Sequence, residues 1–446
     1  MNIQKNIQNK MAILLLLALL PAILTGCQQN GGETEEGGNL SCITAIAPGE
    51  ELEENAVLRK PDAAAEPTDY AVITEAPETD ADSPNSGETA VSETSTGNGE
   101  TRISFVAVGD NIIHSAIMED AANHAGDGEE YDFTYIYDNV RDVISAADVA
   151  FVNQETLLGG KSLGYYGYPN FNGPQEAGDA LVDCGFDIVC IATNHMCDMG
   201  EAGLAGTIEY WEKQPVTMIG GYKNAEDYEN IRVHEANGVK IALLAYTYDP
   251  YLTNGMKLPA SSELITPIYN EEVLRRQVAA AKEASDIVIV NMHWGKDSSF
   301  SVTDEQKKYA QLLADLGVDV IIGEHPHVLQ PMQWLEGKDG NKTLLTYSIG
   351  NFLSTMYNDY FMVGGMLSFD IVKTAEDTTV ENVELIPTVT YYDVNRANLS
   401  VYFLDDFTED LASSHGTNAH GATSLEQLRG YVTKCIPADF LPESYQ

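Results

Sequence analysis

The feature that most constrains this chain is a pattern that recurs six times between residues 102 and 352. An apolar, β-branched run stops abruptly at a polar cluster: "ISFVAVGD" at Asp110, "DVAFVNQE" at Asn153 and Glu155, "FDIVCIATNH" at Asn194 and His195. "DIVIVNMHWG" stops at Asn291 and His293, "VDVIIGEHPH" at His325 and His327, and "TLLTYSIGNF" at Ser348 and Asn351. Amphipathic stretches such as "EEVLRRQVAAAKEA" and "TDEQKKYAQLLADLG" lie between several of these runs. Strands alternating with helices predict βαβ units and a largely parallel sheet. In such sheets ligands bind beyond the carboxyl ends of the strands. Asp, Glu, Asn and His are therefore delivered to a single edge.

Two stretches refine this reading. "IRVHEANGVKIALLAYTYD" reads as two strands joined by Asn237-Gly238, a strong hairpin signal. An antiparallel pair beside parallel strands predicts a mixed sheet or a two-sheet sandwich, and "GGMLSFDIV" and "VENVELIPTVTYYD" read as further strands. In "GEHPHVLQP", Pro326 favours extended backbone before it. In extended chain, residues two apart share a side, so His325 and His327 are expected to aim at one region. Two imidazoles so placed suit a metal ion or a phosphate.

The rest of the chain is read from composition. Its 446 residues carry a formal net charge of -44, which argues against nucleic acid as a partner, because phosphates need Lys and Arg. Residues 1–26 read as a secretory signal, with a lysine-bearing start and the apolar run "MAILLLLALLPAIL", too short for an ordinary span. It ends at "LTGC", which resembles a lipobox and makes Cys27 the lipidation site. That expectation puts the protein outside the cell, lipid-anchored to the bacterial cytoplasmic membrane. Residues 27–100 are rich in Glu, Asp, Ser, Thr, Pro and Gly, too polar to offset chain entropy, and read as an acidic disordered tether. A folded domain is expected over residues 101–400, with a weakly patterned, peripheral extension over 401–446 that holds a short helix near "TSLEQLRGYVTKC". Cys42, Cys184, Cys190, Cys197 and Cys435 match no zinc spacing and read as packing residues, with a disulfide open among the middle three.

"VGDNIIH", "NQETLL", "TNHMCDMGEAGL", "MHWG", "GEHPHVLQP" and "YSIGNFL" occur in the order seen in the CapA family of poly-γ-glutamate capsule proteins, which belongs to the calcineurin-like metallophosphoesterase superfamily. The resemblance covers roughly residues 102 to 390. It implies an α/β fold, a double β-sheet sandwich flanked by helices, with one or two divalent ions (Mn, Fe or Zn) at the strand ends. Carried over motif by motif, it makes Asp110, Glu155, Asn194, His293, His325 and His327 metal ligands, and His195 the catalytic residue facing the reacting group. His114 and Asn351 line the site, and Ser348 beside Asn351 lines it or forms a turn. The usual Asp-x-His opening is absent: Asp110 is followed by "NII" and then His114. Asp198 reads as a turn or helix-start residue, and His124 and His234 as exposed.

The resemblance implies a membrane-anchored, metal-dependent hydrolase or transferase of capsule synthesis. Its partners would be an anionic polymer of the poly-γ-glutamate type and other membrane subunits of capsule synthesis. The competing expectation is a non-catalytic accessory lipoprotein that uses a degenerate metal site to bind polymer or partner subunits. A solute-binding lipoprotein also pairs a lipobox with α/β domains, but it has no need of histidines at so many strand ends.

Overall fold

The computed structural model describes residues 95–96, 99–252 and 255–445. The expected signal, Cys27 and nearly all of the acidic segment lie outside the described residues. Two sheets form the body of the domain. The larger contains β1 (Ser95–Thr96), β2 (Glu100–Asn111), β3 (Val149–Gln154), β4 (Ile188–Cys190) and β5 (Thr217–Ile219), with β12 (Asn351–Leu353), β13 (Val363–Lys373), β14 (Thr378–Tyr391) and β15 (Ser400–Phe403). The smaller contains β6 (Arg232–Ala236), β7 (Val239–Thr247), β8 (Ile287–His293), β9 (Val320–Glu324), β10 (Leu329–Glu336) and β11 (Lys342–Ile349). The orders are β15-β14-β13-β2-β3-β4-β5, with β1 and β12 also on β2, and β10-β11-β9-β8-β7-β6. Strands β2 to β5 and β7, β8, β9 and β11 run parallel, and the hairpin pairs close the flanks antiparallel. The mixed, two-sheet α/β sandwich expected from the sequence is the fold observed.

The smaller sheet shows why its strands are apolar throughout. Side chains alternate between faces with period two. Ile241, Leu243, Ile287, Ile289, Val320 and Ile322 pack into the core shared with the larger sheet. Their neighbours Leu244, Val288, Val290 and Ile321 pack instead with Leu274 and Val278 of helix α6 (Glu271–Ala284) and Leu313 of helix α7 (Asp304–Leu316). Strands buried on both faces need near-continuous hydrophobic sequence. The alternation also aims the last residues of these strands. Asn291 and His293 follow Ile289, and Glu324 follows Ile322, on the side that faces the larger sheet.

Local signals set the helices. Asn270 caps α6 by accepting from Val273 N, while Thr303 and Gln306 form a reciprocal capping box on α7, which ends at left-handed Gly317. Asn237 and Gly238 both take positive φ, 48° and 79°, as a two-residue hairpin turn requires. The C-terminal stretch lies at the edge of the larger sheet through β15 and adds Phe407, Leu428, Val432 and Leu441 to its core. Cys184, Cys190 and Cys197 are buried and not disulfide-bonded, in keeping with a packing role.

The geometry expected around His325 and His327 is corrected here. Strand β9 ends at Glu324, and the two histidines are not extended: their φ values are +94° and +59°. Left-handed backbone at a non-glycine residue costs about 1–3 kcal/mol and persists only where the surroundings enforce it. They do so here. The turned backbone lets His325 N donate to Asp110 Oδ2 at 3.3 Å, and Pro326 O accept from Ser298 N at 3.1 Å. The imidazoles still share a region, with ring centroids 5.7 Å apart, but a bend brings them together rather than strand alternation.

Candidate metal centre

The site begins where β2 meets the chain leaving β11. A Cβ on Gly109 would lie 1.9 Å from Gly350 O, so only glycine allows this crossing, and Asp110 N donates to that same carbonyl at 3.1 Å. Asp110 is therefore fixed at the bottom of the site, fully buried, with Asn153 Nδ2 donating to its Oδ1 at 2.7 Å. His327 Nδ1 lies 3.1 Å from Asp110 Oδ2, 3.8 Å from Glu155 Oε2 and 3.0 Å from Asn351 Oδ1. Asp110, Glu155 and His327 each offer a ligand atom, and those atoms lie within 4.8 Å of one another.

The other histidines ring this group. His293 sits with Nε2 2.8 Å from Asn194 Oδ1 and 3.8 Å from Glu155 Oε1, and Nδ1 4.0 Å from Asp110 Oδ1. The His325 ring is 4.9 Å from that of His293 and edge-on to Tyr248 at 4.9 Å. His195 approaches from the loop after β4. Its Nε2 is 3.8 Å from Glu155 Oε1, and its Nδ1 is 2.7 Å from Asp198 Oδ2. That second contact fixes the ring orientation and leaves Nε2 toward the group. Asp198 also accepts from Phe171 N at 2.8 Å, and the Phe171 ring stands edge-on to His195 at 4.7 Å. Asp198 is thus an orienting carboxylate as well as a turn residue.

Other sequence candidates fall outside the group. His114 accepts from Thr355 N at 3.3 Å and packs edge-on against Phe171 at 5.5 Å, which places it on the rim. Ser348 Oγ accepts from Gly350 N at 3.2 Å and serves the turn. His124 is exposed and stacks on Tyr135, whereas His234, expected to be exposed, is half-buried beside Thr217 Oγ1 at 3.0 Å. Burying that ring between β5 and β6 accounts for the difference. The sequence reading missed Glu324, Asp198 and Phe171 as participants. Glu324 was legible from strand alternation in "VDVIIGE", whereas nothing local marks Phe171.

The electrostatics point to a cation. Glu155 and Glu324 are buried, and none of their carboxylate oxygens has a protein hydrogen-bond partner; nor do His293 Nδ1 and His325 Nδ1. Burial, and then the Asp110 charge, pushes both glutamates well above the usual carboxylate range. Burial pushes His325 and His114 down to about 3, and His293 well below its ordinary value. Burial opposes the charge on His327 too, but Glu155 and Asp110 raise it to about 10. Buried carboxylates that accept no hydrogen bond are costly unless a cation compensates them. Carboxylate oxygen, amide oxygen and imidazole nitrogen facing one space form a donor set that suits a divalent ion. The residues present fit one.

Residues 104–356 match the family described as bacterial capsule synthesis protein PGA_cap. The chain is 32% identical over 186 residues to a capsule biosynthesis protein CapA of Bacillus anthracis, covering 40% of this chain and 43% of that protein. It is equally 32% identical over 186 residues to the PGA biosynthesis protein CapA of Bacillus subtilis, covering 40% and 45%. The matched stretch thus spans less than half the length of these relatives. Among solved structures, a calcineurin-like phosphoesterase of Bacillus subtilis is similar at 14% identity and a TM-score of 0.39, covering 74% of this chain and 99% of that one. With more than half of its length matched, and with its strand-end motifs gathered at one buried centre, the chain belongs to the PGA_cap family of bacterial capsule synthesis proteins.

Proposed function

We propose that this protein is an extracytoplasmic, lipid-anchored, metal-dependent hydrolase or transferase that acts in the synthesis of an anionic capsule polymer of the poly-γ-glutamate type. One observation carries the reading: Asp110, Glu155 and His327 converge, and neither Glu155 oxygen has a protein hydrogen-bond partner. Asp110, Glu155, Asn194, His293, His325 and His327 would hold one or two ions of Mn, Fe or Zn. A bound divalent ion supplies Lewis-acid polarisation of the attacked group. His195 is then the proton carrier. Asp198 holds its Nδ1, so Nε2 is the atom that gives a proton to a leaving group or takes one from a nucleophile. Phe171 excludes water from one side of that ring. The anchor rests on the sequence at Cys27, and the polymer rests on the names of the related proteins.

A second reading has its own observation. His114 faces Phe171 and Thr355 rather than the Asp110–Glu155–His327 group, so the usual first histidine of the metallophosphoesterase pattern is not replaced by it. A site short of one ligand suits a non-catalytic accessory protein that binds polymer or membrane subunits. Turnover separates the readings. Protein loaded in turn with Mn, Fe and Zn is assayed on a chromogenic phosphoester and on a γ-linked glutamate oligomer. Cleavage or transfer with any ion supports the enzyme; bound metal without turnover on either supports the accessory reading. Loss of lipid labelling in Cys27→Ala tests the anchor, and continued labelling contradicts it.

A further inference from the structure

The chain that leaves β11 returns to the site at Asn351. Its backbone lies along β2, with Asn351 in parallel register with Asp110. A Cβ on Gly364 of β13 would lie 2.1 Å from Asn351 O, so only glycine allows the two chains to come this close. The Asn351 side chain is buried, and its neighbours decide which way the amide points. Asn351 Nδ2 donates to Phe361 O at 3.0 Å and lies 3.7 Å from Met356 Sδ. A carbonyl only accepts, so the amide nitrogen is the atom on that side and Oδ1 is the atom turned into the site.

There Oδ1 meets His327 Nδ1 at 3.0 Å. The same nitrogen lies 3.1 Å from Asp110 Oδ2 and 3.8 Å from Glu155 Oε2. Three oxygens thus converge on one ring nitrogen, which carries at most one hydrogen. A single donor cannot satisfy three acceptors, and hydrogen bonding alone does not account for the group. Its distances fit another arrangement. With bonds of about 2.0–2.2 Å, the ligands of one divalent ion lie roughly 3–4 Å apart, from right-angled to nearly opposed. All three separations fall in that range. Strand β2 and the turn after it contribute Asp110 to this set and no histidine: Ile112 is buried and apolar, and His114 faces Phe171 and Thr355. Asp110 and Glu155 balance the two charges of an ion, and a neutral amide adds a donor without adding a third.

We infer that Asn351 Oδ1 is a further metal ligand, which closes the group of Asp110, Glu155 and His327 into a four-residue site for one divalent ion. This deepens the metal reading above and rests on it. The ligand that His114 does not supply comes from Asn351 instead. The test uses full-length protein loaded with Co(II), whose visible absorption reports its ligands, for wild type, Asn351→Ala and Asn351→Asp. Affinity is read by competition with a chelator. Loss of a ligand predicts binding at least about 10–100-fold weaker in Asn351→Ala, together with altered absorption bands. Most of the affinity should return in Asn351→Asp, which keeps an oxygen in place. An unchanged spectrum in Asn351→Ala would show that the residue only orients His327 and would overturn the inference, as would unchanged affinity; either leaves the metal reading intact. Wild type that binds none of Co, Mn, Fe or Zn overturns both. Should Asn351→Ala not fold, the ion is located by anomalous scattering in crystals of the metal-loaded wild type. An Asn351 Oδ1 within about 2.5 Å of the ion supports the inference, and a longer distance overturns it.

Discussion

Two groups of buried histidines in this protein are satisfied in opposite ways. His415, in the C-terminal stretch, is fully buried with Nε2 2.9 Å from Thr390 O and Nδ1 accepting from Thr417 N at 3.1 Å. Both its nitrogens have protein partners, and it ties the turn after helix α8 (Glu409–Ser414) to strand β14. His293 and His325 at the strand ends are also buried, yet each leaves Nδ1 without a protein hydrogen-bond partner, beside the Glu155 and Glu324 carboxylates in the same condition. Burial alone therefore does not identify a functional histidine. Since an unpaired buried polar atom costs about 1–3 kcal/mol, a convergent set of them marks a centre built for something outside the polypeptide.

The contrast can be broken at several points. The largest effect is expected from His325→Ala or His327→Ala. Each should lower metal affinity by more than the 10–100-fold typical of residues one contact away from a metal, with the circular dichroism spectrum retained. Retained metal in both would remove the distinction between the two groups. Next, His195→Ala should keep its metal and lose about 10²–10⁴ in turnover. Asp198→Asn, which disturbs the orientation of His195, should lose on the order of 10–100-fold by analogy with other orienting partners. His415→Ala should do the reverse: unchanged metal content, with stability lower by about 2 kcal/mol in denaturant titration, because Thr390 O and Thr417 lose their partner.

The smallest effect is a pH dependence. Burial lowers His415 from 6.5 to about 4, so between those values the unfolded chain binds the proton that the folded protein refuses. Its contribution to stability is complete above about 6.5 and is lost as pH falls toward 4. Melting temperatures of wild type and His415→Gln should therefore converge as the pH is lowered through that window. A constant gap would show that His415 is not held neutral by the fold.

The sequence made the sheets legible because each strand run is bounded by polar residues and the two long helices carry their own caps. It made the gathering of the candidate residues legible for the same reason: Asp110, Glu155, Asn194, His293, His325 and His327 all stand at a strand end or within a few residues of one. The detail of His325 and His327 was not legible. Their left-handed backbone is imposed by long-range bonds to Asp110 and Ser298, 215 residues away in the first case, and local proline preference gave way to them. Glu324 could have been found by counting alternation along β9. Phe171 and Thr355 come from loops whose placement depends on contacts such as Asp198 with Phe171 N and His114 with Thr355 N, which no periodicity announces.

The central claim is that the buried group at the strand ends, Asp110, Glu155 and His327 with the histidines around it, holds a metal ion. It is tested most directly by measuring metal per chain by elemental analysis, in wild type and His327→Ala, after exposure to Mn, Fe and Zn and removal of loosely bound ions. The account predicts at least about one ion per chain in wild type and strong depletion in the variant. Wild-type protein that takes up none of the three, or a His327→Ala variant that retains the full complement, would contradict it.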